Sequence, residues 1–219
     1  RIMGEYVNNK TLICFFITLG IYFISGLNLK VLVAGFFSVV PLSLIIWSSD
    51  ILKPYQRQRI LVFLDPESYQ QNAGFQLMQS ITGIGAGGLI GSGFLKGVRA
   101  SGGFIPEVHT DFIFSAVGEE WGFFGALFLI ALYSILIYKM IKHAKESKDI
   151  IGRLICVGTA SGFLFSIFQN IGMTIGIMPI AGITLPFMSY GGSSILVNFM
   201  SLGIVLNVGM RKSRLNFCS

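Results

Sequence analysis

Residues 154–210 read LICVGTASGFLFSIFQNIGMTIGIMPIAGITLPFMSYGGSSILVNFMSLGIVLNVGM and contain no charged residue and no histidine. A helix needs about 20 mostly apolar residues to cross a bilayer. This stretch is too long for one crossing and long enough for two with a break between them. Pro179, Pro186 and the Gly191–Gly192 pair supply the break. Two spans are therefore expected, over 154–177 and 193–210.

The same reading extends toward the N-terminus. Trp121 to Tyr138 is uncharged, with aromatics near both ends as membrane interfaces favour. It is the body of a span expected over 112–138. Thr11–Leu29 and Val31–Ser49 are also free of charge, which predicts spans over 11–29 and 31–49. Pro41 falls inside the second, which a membrane helix tolerates. Ser68–Leu95 is uncharged too, but seven glycines and four glutamines crowd it. Glycine weakens a helix by about 1 kcal/mol relative to alanine. A re-entrant or interfacial segment fits better than a sixth span. The expected fold is an all-α integral membrane protein. It has about five transmembrane helices and one long extracytoplasmic loop over 50–111 that contains the Gly-rich segment.

Composition agrees. The 219 residues are 53% hydrophobic and 12% charged, with a mean hydropathy of +0.73. A soluble surface needs about twice that charge. The net charge of +6 raises nucleic acid as a partner, but the basic residues lie between apolar runs and form no basic stripe. Cys14, Cys156 and Cys218 form no CxxC and no paired framework. With five spans, Lys30, the 139–153 loop and the 211–214 tail share one side and hold nine of the sixteen Lys and Arg. The positive-inside rule makes that side, and the C-terminus, cytoplasmic. The 50–111 loop then faces outward despite Lys53, Arg57, Arg59, Lys96 and Arg99. Those cations run against the rule, and suit an anionic ligand such as phosphate.

Polar chemistry concentrates at the edges of that loop. Pro106-Glu107-Val108-His109-Thr110-Asp111 leads directly into an apolar run. Two roles fit Asp111. Thr110 or Asp111 would cap the helix that follows, or Asp111 is a general base at the outer boundary. Asp111, Ser115, Gly118 and Gly122 share one helical stripe, suited to a cavity or a close helix neighbour. Glu119 and Glu120 lie two turns further on, where a carboxylate is costly unless paired or wet. His109 is a second titratable candidate, without ligand spacing for a structural metal. The Gly83–Gly93 run does not match a P-loop, and reads as close packing or flexibility. Ser189-Tyr190-Gly191-Gly192-Ser193-Ser194 reads either as a turn with a Ser cap or as a set of donors at a cavity mouth.

Three stretches carry a resemblance: PYQRQRI at 54–60 with FLDPES at 63–68, PEVHTDFIFSAVGEE at 106–120, and GIMPIAGITLPFMSYGGSS at 176–194. On these the chain resembles the SEDS family of bacterial cell-wall polymerases, on its elongation rather than its division side. The resemblance implies a single polytopic membrane domain, the C-terminal half of a protein of about ten spans. Opening on Arg1 directly before an apolar run is in keeping with part of a longer chain. Gly4–Asn8, Ala86, Ser92 and Trp121 depart from the family pattern.

The implied activity is peptidoglycan glycosyl transfer, polymerising lipid II into β-1,4-linked strands at the outer face of the bacterial cytoplasmic membrane. Asp111 is the implied catalytic residue, with His109 tuning it or replacing it as base. An aspartate in water is a weak base, and partial burial beside lipid would strengthen it. Lys53, Arg57 and Arg59, or a divalent cation such as Mg or Mn, would neutralise the pyrophosphate. No organic cofactor is implied. Thr110, Ser115, Glu119, Glu120, Ser189, Ser193 and Ser194 complete the expected substrate-binding set. Implied partners are lipid II, undecaprenyl-pyrophosphate-linked glycan, a class B penicillin-binding transpeptidase and the elongation machinery. A lipid II transporter and a transpeptidase scaffold are the competing readings.

Overall fold

The computed structural model describes residues 11, 13–22, 54–66, 73–102 and 108–213. Every regular element among them is a helix. In chain order these are α1 (Ile13–Tyr22), α2 (Pro54–Leu64), α3 (Ala73–Gly87), α4 (Val98–Ser101), α5 (Ile113–Glu146), α6 (Ile150–Thr174) and α7 (Gly192–Ser213). The end of the expected 11–29 span, all of the 31–49 span and Lys53 lie outside the described residues. Among the described residues three helices are long and apolar enough to cross a membrane: Ile113–Glu146, Ile150–Thr174 and Gly192–Arg211. The chain is a polytopic, all-helical membrane protein. With 15 residues, α3 reaches about 22 Å, short of a hydrocarbon core of about 30 Å.

Helix α6 is the centre. In its most apolar stretch 56% is buried, against 6% in α7. Lipid tails are as apolar as leucine, so close approach and hydrogen bonds must hold such helices together. Gly158 and Gly162, four residues apart, make a small-residue stripe on α6. Ile17 and Ile21 of α1 lie against it, and the Phe16 and Phe165 rings stack at 4.0 Å. On the other side Tyr133, Ile137 and Met140 of α5 pack with Cys156, Ala160 and Phe163 of α6 and Val205 of α7.

The Ser147–Asp149 link turns α5 back antiparallel into α6, and the Ser147 hydroxyl bonds Asp149 O at 3.1 Å. Helix α7 returns alongside, with Gly209 against His143 and Gly152 against Val208. Lys139, Lys142, Lys145, Lys148, Arg153 and Arg211 therefore gather at one end of the bundle.

Helix α5 is broken at Gly122, whose φ of 65° and ψ of −161° no helix contains. The break costs two helical bonds and orphans Glu119 O, Glu120 O, Phe123 N and Phe124 N. In an apolar medium each orphan would cost several kcal/mol. The loop after α3 takes up all four. Ser92 N donates to Glu119 O at 2.9 Å and Gly93 N to Glu120 O at 3.0 Å. Phe123 N donates to Gly88 O at 2.9 Å and Phe124 N to Leu89 O at 3.2 Å.

Glycines make this approach possible. A Cβ on Gly87 would lie 2.0 Å from Gly118 O, and one on Gly91 2.1 Å from Glu120 O. The Gly-rich segment is thus helical to Gly87, through Gly83 and Gly85, and tightly packed beyond it. The sequence-based penalty for those glycines is outweighed by the tertiary bonds they permit. Leu89, Ile90 and Leu95 are exposed, as lipid-facing residues would be, and the exposed Phe94 ring meets Trp121 edge-on.

The cap position of α5 belongs to Phe112, which offers no side-chain cap. Ser115 instead closes the first turn itself: its N–H and its hydroxyl both bond Phe112 O, at 3.0 and 2.7 Å.

These contacts separate two glycines two residues apart. A Cβ on Gly85 meets nothing within 4 Å, so Gly85→Ala is expected to hold or raise the thermal midpoint, by up to about 1 kcal/mol. Gly87→Ala drives α3 off the α5 backbone, with a loss of roughly 2–4 kcal/mol. Thermal unfolding of the full-length protein in detergent checks both signs. The Tyr133 hydroxyl donates to Pro186 O at 2.6 Å in a buried setting. Tyr133→Phe should lower stability by about 1 kcal/mol in the same measurement.

Candidate functional site

The C-terminal end of α6 organises the end of the bundle opposite the basic cluster. It stops in a Schellman motif. Gly176, at φ 80°, donates to Met173 O at 3.3 Å, and Ile177 N to Gly172 O at 2.8 Å. The chain then runs without regular structure from Pro179 to Gly191. Side chains of α6 hold this loop down. Gln169 Nε2 donates to Pro179 O at 2.9 Å, and Asn170 Nδ2 to Ile183 O at 2.7 Å. The Ser80 hydroxyl of α3 donates to Thr174 O at 2.9 Å, which fixes α3 to the same end.

The turn carrying Asp111 meets this loop. Asn170 Nδ2 also donates to Asp111 O at 2.8 Å, and Tyr190 N donates to His109 O at 2.8 Å. Two of the sequence stretches singled out above, 106–120 and 176–194, are therefore joined through their backbones. Within the loop Leu185 N donates to the Ser189 hydroxyl at 2.7 Å. Phe187 holds a left-handed φ of 65°, with its ring edge-on to Phe163 and Phe199. Those contacts fix a backbone that a bulky residue rarely adopts.

The expected site residues fall into groups. His109 is exposed, and Thr110 and Asp111 are half-buried on the turn. Ser193 is exposed at the start of α7, and half-buried Ser194 donates its hydroxyl to Gly191 O at 3.0 Å. Ser115, Glu119 and Ser189 are buried, and their polar atoms bond the protein's own backbone. Glu119 Oε1 accepts from Arg99 N at 2.9 Å, while the Arg99 guanidinium donates to Gln79 Oε1. That carboxylate anchors α4 to α5. Glu120 is half-buried beside Gly97. Exposed Arg57 and half-buried Arg59 ride on α2, which packs against α3 rather than against α5, α6 or α7. Among the described residues no three His, Cys, Asp or Glu side chains converge to hold a metal.

Sequence reasoning passed over Gln169, Asn170, Thr174 and Ser80. The signal was available: adjacent amides inside a charge-free run are expensive in lipid, and mark either a site or a tie between segments.

A family model described as "Cell cycle protein", for FtsW, RodA and SpoVE, matches residues 8–214. "Peptidoglycan glycosyltransferase RodA" of Treponema pallidum (strain Nichols) is 41% identical over 162 residues, covering 74% of this chain and 37% of that protein. "Peptidoglycan glycosyltransferase MrdB" of Escherichia coli (strain K12) is 38% identical over 196 residues, covering 90% of this chain and 53% of that protein. A solved structure described as "Structural coordination of polymerization and crosslinking by a peptidoglycan synthase complex" superposes with a TM-score of 0.76 at 35% identity. It covers 93% of this chain and 56% of the solved one. The chain thus spans between 37% and 56% of the length of these three proteins. With the family model matching almost end to end, the chain belongs to the FtsW/RodA/SpoVE family of membrane proteins.

Proposed function

We propose that this chain is part of a peptidoglycan glycosyltransferase that polymerises lipid II into β-1,4-linked glycan during cell elongation. The observation that carries the reading is the joining of the Asp111 turn to the 176–191 loop, at the end of the bundle opposite the basic cluster. The names of its relatives give the reaction class. By the positive-inside rule the basic end is cytoplasmic, as is the C-terminus, so Asp111 lies toward the outer face.

The chemistry needs one base. A glycosidase pairs two carboxyl groups because its leaving group is poor. Here a lipid pyrophosphate leaves, and it needs no proton. Asp111 takes the proton from the acceptor's 4-hydroxyl. That oxygen forms a bond to the donor's anomeric carbon as the bond from that carbon to the pyrophosphate oxygen breaks. The electron pair departs on the pyrophosphate, and inversion gives the β linkage. Lys53, Arg57 and Arg59 are proposed to neutralise the pyrophosphate. A divalent cation, Mg or Mn, would come with that pyrophosphate and draw most of its ligands from phosphate and water. A class B penicillin-binding transpeptidase is the proposed partner, which would cross-link the new strand.

The test uses full-length protein with its transpeptidase partner and labelled lipid II. Asp111→Asn should reduce polymer by about 10²-fold or more at an unchanged thermal midpoint. His109→Gln should still polymerise. Normal polymer from the Asp111 variant ends the general-base role, and polymer lost only in the histidine variant makes His109 the base. Lipid crossing vesicle membranes without polymer would make the protein a transporter.

A further inference from the structure

Asn170 lies on α6 near its C-terminal end and is fully buried. Its amide nitrogen donates to two carbonyls, Asp111 O at 2.8 Å and Ile183 O at 2.7 Å. Among the described residues its Oδ1 has no hydrogen-bond partner. Because both neighbours are carbonyls, only the NH₂ group can face them, so chemistry fixes the amide's orientation. Both of its hydrogens are used. One side chain thus ties together segments 59 residues before it and 13 residues after it.

An unpartnered buried acceptor is destabilising, because it gives up its bonds to water and gains none in return. A residue chosen only for stability would avoid that. What asparagine supplies, and no side chain of similar size does, is two donors from one planar nitrogen. Aspartate has no donor when ionised and one when neutral. Leucine has none. Glutamine is one methylene longer.

We propose that Asn170 is a positioning residue: it holds the main chain of Asp111 against the 176–191 loop, and so sets where the Asp111 carboxylate meets the acceptor. This rests on the glycosyltransferase reading for its consequence, though not for its geometry. Asn170 touches no reacting atom. It acts through the Asp111 carbonyl, supported by the parallel tie from Tyr190 N to His109 O. The carboxylate of a misplaced turn would still leave the lipid-linked substrate its other contacts. Turnover should therefore suffer more than binding, since small displacements of a reacting group are costly.

The test compares Asn170→Asp and Asn170→Leu with Ser80→Ala in full-length protein. Ser80→Ala removes a buried bond at the same end of α6 without touching the Asp111 turn. Both Asn170 variants should lose at least about tenfold in kcat, with KM for lipid II within about twofold. Ser80→Ala should lower the thermal midpoint while kcat stays near wild type. Hydrogen exchange supplies a readout independent of activity. Amides of residues 108–112 and of Tyr190 should exchange faster in the Asn170 variants, and those of α5 beyond Gly125 should not. Wild-type kcat in a folded Asn170→Asp protein overturns the proposal. So does a loss of kcat that merely tracks the thermal midpoint across all three variants. If wild type makes no polymer, the glycosyltransferase reading falls. Exchange at 108–112 then decides the positioning role alone, and unchanged exchange overturns it.

Discussion

A backbone amide in lipid must find a partner inside the protein, and the longest of the described helices is broken at Gly122. Gly122 ends the helical ladder of α5 partway along, leaving two acceptors above and two donors below. The loop after α3 supplies the complementary groups in register, through Gly88 and Leu89 on one side and Ser92 and Gly93 on the other. Much else follows from this contact. It determines how close α3 comes to α5, and hence why Gly87, Gly91 and Gly118 carry no side chain. It also brings Arg99 and Gly97 over Glu119, whose buried carboxylate then has a backbone donor to accept from.

The second organising centre is polar and lies at one end of an apolar helix. Gln169, Asn170 and Thr174 face different segments, and each bonds backbone or receives a side chain. An irregular loop at a membrane boundary survives only where protein satisfies it. Here the tail of α6 does so for the 176–191 loop, as Tyr133 does from α5. The turn at 108–112 is attached to that loop through the bond from Tyr190 N to His109 O and the bond from Asn170 to Asp111 O.

The long helices were legible because absence of charge is a coarse property that needs no partner to interpret. Leu154–Met210 shows this, and Pro179 and Gly191 mark the loop within it. Asp111 stands out in the sequence as a carboxylate next to an apolar run. The glycines between 83 and 93 were harder. Propensity reads each as a weakness, whereas Gly87 and Gly91 exist for contacts with residues about 30 positions away that no local window contains. The start of α5 shows the same dependence on position: it falls past Thr110 and Asp111, and Ser115 reaches back to Phe112 O. Ser115, Glu119 and Ser189 look like ligand donors in one dimension. In three they bond neighbouring backbone, and only the fold says so.

The corner in α5 has a mechanical consequence. A glycine bend with dangling backbone groups is a hinge, because little opposes a change of angle. This one is pinned on both sides by the same loop, so bending it further requires several hydrogen bonds to part together. The stretch of α5 next to Asp111 and the stretch that ends among the lysines therefore move as a single lever, with α3 riveted to its elbow. The softer joint is elsewhere. The 176–191 segment is fastened to the bundle by scattered single hydrogen bonds, from the Gln169, Asn170 and Tyr133 side chains and from Tyr190 N to His109 O, rather than by one paired set. Any opening of that end of the bundle would start there, with the Asp111 lever standing still.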